Sequence, residues 1–283
     1  LHGNYPAILE DDVVGETARS LKADADAMLE KIISEKWLTA RCVAGLWPCV
    51  REGDDVTIHD PARANGSSGE MRLPFLRQQV KKSRERPNMC LADFVSPEGD
   101  WIGGFAVGIH GIDPHVERFQ ADKDDYSDIL LKALADRFAE AFAERLHQHV
   151  RTDLWGYAPD EQFTNEALIK EQYRGIRPAP GYPACPDHSL KPMLFDLLNA
   201  QENVGLELTE SFAMYPTAAV SGFYFAHPES AYFGVARIGK DQLEDYAARR
   251  GVDLATAERW LRPNLDRDCG LSASIIRLVE KEP

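Results

Sequence analysis

Cys185-Pro186-Asp187-His188 places a thiol, a carboxylate and an imidazole within four residues. Two chemistries could use that set. A structural zinc needs four ligands at tight, paired spacings, and the sequence offers this one cluster with no C-x-x-C pair. A thiol nucleophile takes its base from elsewhere in the fold, because residues three apart in an irregular loop seldom align. No catalytic side chain and no metal ligand is therefore expected there.

Residues around this cluster suit recognition instead. Arg177 could hold a carboxylate through two parallel hydrogen bonds, Gly181 would let a ligand approach the main chain, and Tyr182 offers an aromatic face. A cationic ligand also needs acidic or aromatic neighbours. Glu140 and the pair Tyr232-Phe233 are candidates, although sequence alone does not bring them together.

The segment that must position these groups is Arg174 to Lys191, RGIRPAPGYPACPDHSLK, with four prolines, two glycines and no helical or strand period. Proline fixes φ and glycine permits positive φ, so such a loop has few backbone states to lose. On residue physics it reads equally as a ligand site or as a rigid connector.

Around it, apolar spacing predicts a helix over Asp12 to Lys36, a strand at Cys42 to Val50 turning at Gly53-Asp54-Asp55 into Val56-Thr57-Ile58, and an exposed loop at Pro61 to Gly69. Between Phe75 and Arg86 a short helix is expected, followed by the basic cluster Arg77, Lys81, Lys82, Arg84 and Arg86. Buried strands are expected at Leu91 to Val95 and at Trp101 to Ile109, the latter with Gly103, Gly104 and Gly108 for close approach of another backbone. Pro114 to Arg151 reads as two helices parting near Asp122, with an apolar stripe Ile129, Leu130, Ala133, Leu134, Phe138, Ala141, Phe142 and Leu146. His147 and His149 are assigned to the surface near the end of the second helix.

Further helices are expected at Thr164 to Tyr173, Met193 to Glu202, Asp241 to Arg250 and Ala255 to Leu261, with Gly251 as a C-cap. A short strand is expected at Leu206 to Phe212, and a hairpin of Ala219 to His227 with Tyr232 to Ile238. These elements add up to an α+β fold: a single domain with a mainly antiparallel β-sheet and flanking helices. Neither G-x-G-x-x-G nor G-x-x-x-x-G-K-[ST] occurs, which removes the Rossmann and P-loop readings.

Composition narrows the partners. In 283 residues, 32 Lys plus Arg face 46 Asp plus Glu, a net charge of -14, which argues against nucleic acid and against an anionic membrane surface. No apolar run reaches the ~20 residues of a membrane span. Five scattered cysteines, Cys42, Cys49, Cys90, Cys185 and Cys269, read as reduced thiols of a cytoplasmic protein.

The run RGIRPAPGYPACPDH, with WGYAP at Trp155, LTESFAM at Leu208 and SGFYFAHPES at Ser221, resembles the reactivation domain of cobalamin-dependent methionine synthase. The likeness extends from YPAILEDDVVG at Tyr5 through KALADRFAEAFAE and DYAARRG to RWLRPNL. It implies that residues 1–283 are one S-adenosylmethionine-binding domain, an N-terminally truncated fragment of a larger methyltransferase that is not catalytic alone.

The resemblance also implies a role in restoring methylcobalamin from cob(II)alamin. The cobalamin is held by a neighbouring domain outside this chain, zinc lies only elsewhere in the full enzyme, and flavodoxin or an equivalent reductase supplies an electron. The family's R-x-x-x-G-Y motif maps to Arg177, Gly181 and Tyr182, and its other S-adenosylmethionine contacts to Glu140, Ala184, His188, Tyr232 and Phe233. An acidic contact that the family places earlier has no counterpart here, and Phe233 stands where relatives can have tyrosine.

Two readings compete with this one. A free-standing S-adenosylmethionine-dependent methyltransferase would need an acceptor-activating base, and none is evident. A docking module would meet an acidic electron-transfer protein through the Arg77 to Arg86 cluster.

Overall fold

The computed structural model describes residues 4–60, 69–83 and 85–266. Most of the expected loop at Pro61 to Gly69, together with Arg84 and Cys269, lies outside the described residues.

A five-stranded sheet runs in the order β3-β2-β1-β4-β7, with β1 Thr39–Glu52, β2 Asp55–His59, β3 Glu70–Pro74, β4 Asp100–His110 and β7 Ala219–Tyr224. β1 and β2 form the expected antiparallel hairpin, with register from Cys49↔Ile58 to Glu52↔Asp55. Gly53 turns it at φ 66°, where a side chain would be strained. β2 pairs antiparallel with β3, from Asp55↔Pro74 to His59↔Glu70. Ile102, Phe105, Ala106 and Val107 of β4 are fully buried, which explains its continuous apolar run. The β4 glycines admit side chains, not a backbone: a Cβ on Gly103 would strike Tyr224, and one on Gly104 would strike Leu194.

The chain forms two compact units. The first comprises Leu1–Cys42, Val107–Leu146 and Gln201–Val220. Its α1 (Gly15–Ser34), α2 (Asp113–Ala121) and α3 (Asp125–His149) account for three predicted helices, and β5 (Glu207–Leu208) pairs antiparallel with β6 (Met214–Tyr215). Met28, Ile32, Leu130 and Leu131 make its core, closed by Trp37 and Phe119.

The second unit comprises Val43–Ala106, His147–Ala200 and Ser221–Pro283. It holds α4 (Asn165–Ile169), α5 (Lys191–Leu198), α7 (Lys240–Arg250) and α8 (Leu254–Leu261). The short α6 (Ala200–Val204) follows α5 after Asn199, whose left-handed backbone breaks the single helix expected there. Leu243, Tyr246, Ala247, Ala257 and Leu261 pack with Leu76, Val235 and Ile238. Gly251 caps α7 at φ 66°, as its position promised.

Four further expectations fail. Residues 75–82 form no helix. There, the Gln78 N–H donates to Met89 O and the Gln78 side chain to Gly234 O, so packing partners replace helical bonds. Leu91–Phe94 is a 3-10 turn, closed by the Cys90 N–H donating to Asp93 Oδ2 at 2.9 Å. The α3 stripe is only partly as expected: Leu130 and Leu146 are buried, but Leu131, Ala135, Ala139 and Ala143 make up the rest of the buried face and Ile129 is exposed. Residues 232–238 do not pair with β7, because both segments bond to the proline-rich loop instead. Among the described residues no helix is long and apolar enough to cross a membrane.

Candidate functional site

The loop from Arg174 to Lys191 is tied down along its length. Ile176 and Phe225 exchange two backbone hydrogen bonds of 3.0 Å, the Phe223 N–H donates to Pro178 O at 2.9 Å, and the Val235 N–H donates to Pro183 O at 2.8 Å. These bonds explain the missing hairpin. Where sequence alternation suggested a partner strand, the loop takes up the donors.

Its tip is a closed turn in which the Gly181 N–H donates to Cys185 O at 2.7 Å and the Cys185 N–H to Tyr182 O at 2.9 Å. Gly181 has φ 97°, and a Cβ there would lie 2.0 Å from Cε1 of His188. Both conformation and space therefore demand glycine. Below the tip, buried Asp187 accepts hydrogen bonds from the Ser189 N–H, the Ser189 hydroxyl and the Tyr246 hydroxyl.

Seven of the eight predicted site residues belong to the second unit; Glu140 belongs to the first, exposed on α3. Arg177 is half-buried. Its N–H donates to the Tyr232 hydroxyl at 3.0 Å, and its Nη1 donates to the Tyr173 hydroxyl and to Nδ1 of His147 at 3.4 Å. Tyr182 is 61% exposed, Ala184 is buried, and the His188 ring covers Gly181. Phe233 packs on the core of the second unit and lies 6.4 Å from the Phe94 ring. Among the described residues the N–H and C=O of Ala184 have no hydrogen-bond partner, unlike those of its neighbours in the turn.

The reactive readings of Cys185 and His188 find no support. Burial pushes the Cys185 thiol well above its usual range, with the Asp187 and Cys90 charges adding to it, so the nucleophilic thiolate is disfavoured. Burial and the Lys191 charge hold His188 below the usual histidine value.

A profile for the vitamin B12 dependent methionine synthase activation domain matches residues 1–251. The chain belongs to that family. A solved structure described as the MetH reactivation domain bound to AdoHcy is 51% identical, with a TM-score of 0.87, covering 95% of this chain and 83% of that one. Activation domains of this family are parts of methionine synthase, a methyltransferase.

Two features of this activation domain escaped the sequence reading. His147, assigned to the surface, is fully buried, and burial together with Arg151 and Arg177 holds it well below the usual histidine range. In the structure His147 lies four residues after buried Ala143, on the face of α3 that points inward. Arg151 is also fully buried, in a π-helical turn (Val150–Leu154) that ends α3. It pairs with Glu161 through two hydrogen bonds of 2.7 Å.

The basic cluster is depleted as a docking face. The Arg77 guanidinium bonds Asp54, Asp93 and the Asn88 carbonyl, and Lys82 donates to Gln78 Oε1 and Pro87 O. Lys81 and Arg86 stay exposed. Two open clefts, of about 430 and 470 Å³, lie in the first unit and are lined by none of the eight site residues.

Proposed function

We propose that this activation domain binds S-adenosylmethionine, and its demethylated form S-adenosylhomocysteine, along the rim of Arg177, Gly181, Tyr182, Ala184 and His188, with Tyr232 and Phe233 completing the site. The observation that carries the reading is the 51% identical reactivation domain, which is bound to AdoHcy. The rim fits such a ligand. Arg177 is a guanidinium fixed at both its backbone and its Nη1, suited to the amino-acid carboxylate. Ala184 offers one donor and one acceptor to an adenine edge. The bare Gly181 and the exposed Tyr182 ring give flat, close contact.

When bound, S-adenosylmethionine supplies a sulfonium methyl for reduced cobalt on cobalamin carried by a neighbouring domain, with an electron from flavodoxin or an equivalent reductase. The side chains of this chain bind and orient; none is needed as base or nucleophile. Among the described residues of the basic cluster, Lys81 and Arg86 are the exposed cations that would meet the reductase, Arg77 and Lys82 being bonded internally.

Titration calorimetry with S-adenosylhomocysteine tests the reading. Saturable binding that Arg177→Met weakens by about tenfold or more is expected, the loss of a charge-assisted pair. An absence of saturable binding overturns it.

A further inference from the structure

Nη1 of Arg177 donates to two acceptors, the Tyr173 hydroxyl and Nδ1 of His147. An arginine has no acceptor to offer, so Nδ1 must present its lone pair and the ring proton sits on Nε2. Nε2 lies 3.5 Å from the Tyr157 hydroxyl, which in turn donates to the carbonyl of Arg174 at 3.3 Å. The proton directions run one way, from Arg177 through His147 and Tyr157 to Arg174, three residues before the start. The circuit thus fixes the side chain of Arg177 against the backbone of its own loop.

The imidazole is held in that orientation. It stacks on Tyr224 at 4.9 Å and 16°, and meets the edge of Tyr173 at 5.2 Å and 83°. Tyr173 is backed by the Arg151 guanidinium, 3.8 Å from its ring centroid, and Arg151 is anchored by buried Glu161. Both of these acceptors at Nη1 are uncharged groups that orient the guanidinium. Gly175, at φ 92°, leaves room for the Tyr157 hydroxyl, which a Cβ would meet at 2.5 Å.

We propose that His147 is a positioning residue for ligand binding: with Tyr173 it aims Arg177 at the carboxylate of the S-adenosyl ligand. This rests on the reading of Arg177 given above. His147 touches no ligand; it acts through Arg177.

The test compares two probes on the same chain, S-adenosylhomocysteine and 5′-methylthioadenosine, which keeps the nucleoside thioether and lacks the amino-acid tail. His147→Phe keeps an aromatic ring on Tyr224 and removes the acceptor. It is expected to weaken S-adenosylhomocysteine by roughly tenfold and to leave methylthioadenosine unchanged, with His147→Gln recovering part of the loss through its amide oxygen. Equal weakening of both probes, or no weakening, overturns the proposal.

Arg177→Met separates this from the underlying reading. If it too fails to discriminate the probes, the carboxylate role of Arg177 falls; if it discriminates and His147→Phe does not, only the positioning role falls. Should His147→Phe fail to fold, Tyr173→Phe removes the other acceptor, and the same selective loss is required of it.

Discussion

Arg77 and Arg177 are both half-buried arginines next to irregular backbone, and they are held in opposite ways. Arg77 sits between two carboxylates, Asp54 and Asp93, with a carbonyl as a further acceptor. Its charge is consumed, and its hydrogen bonds to Asp93 and Asp54 hold the guanidinium pKa above the usual arginine value despite burial. The contacts of Arg177 at Nη1 are a phenol and an imidazole. The first arrangement ties a chain crossing together; the second, on the proposal above, aims a charge. The two arginines are alike in burial and differ in the acceptors seen at each: carboxylates at Arg77, neutral rings at Nη1 of Arg177.

The largest expected effect breaks the comparison at its structural end. Arg77→Met leaves Asp54 without its guanidinium and Asp93 with only the longer Arg51 pair at 3.4 Å, and should lower stability by about 2–3 kcal/mol in urea unfolding, with S-adenosylhomocysteine affinity unchanged below the transition. Arg177→Met should do the reverse, removing affinity while shifting the unfolding midpoint little. A shared loss of stability and binding in both variants would remove the distinction.

Gly181→Ala tests whether the aim of Arg177 depends on the turn beyond it. At φ 97° the alanine is strained, and its methyl meets the His188 ring, which must swing away. A stability cost of ~1–2 kcal/mol is expected, with weakened S-adenosylhomocysteine binding measured by calorimetry. Unaltered binding would show that the turn and the arginine act separately.

The difference between the two arginines also governs what could be read without coordinates. The hairpin at Gly53, the helices on either side of Asp122 and the Gly251 cap were legible because their signals are local: turn chemistry, apolar period, positive φ. The helix expected at Phe75 to Arg86 was not, since Arg77 and Gln78 bond residues 16 and 156 positions away, and those partners outweigh a weak local preference. The hairpin partner at Tyr232 to Ile238 failed for the same reason, with Pro183 taking the Val235 donor.

At the site, residue type announced Arg177, Gly181 and Tyr182, because their chemistry lies in their own side chains or lack of one. His147 was missed because its role is relational, and only the burial of Ala143 and Leu146 beside it signals that it faces inward.

Acid distinguishes the two arginines most finely. Asp93, despite a burial that favours its neutral form, is held below the usual carboxylate value by Arg77 and the Cys90 N–H. Its contribution is therefore present above about pH 4 and lost only as pH falls further. His147 is a base whose folded value is depressed by burial and by the facing cations Arg151 and Arg177; Tyr157, Tyr173 and Tyr224 also lie against it.

The unfolded chain takes up a proton near pH 6.5 and the folded chain does not, so stability is full above that pH and falls below it. Between pH 6.5 and 5.5 the loss amounts to about 1 kcal/mol for one such group. Subtracting the pH profile of His147→Gln from that of the parent isolates this share from the other histidines. The difference should be flat above pH 7 and decline toward pH 5.5; a flat difference throughout would mean that His147 does not stay neutral beside Arg177.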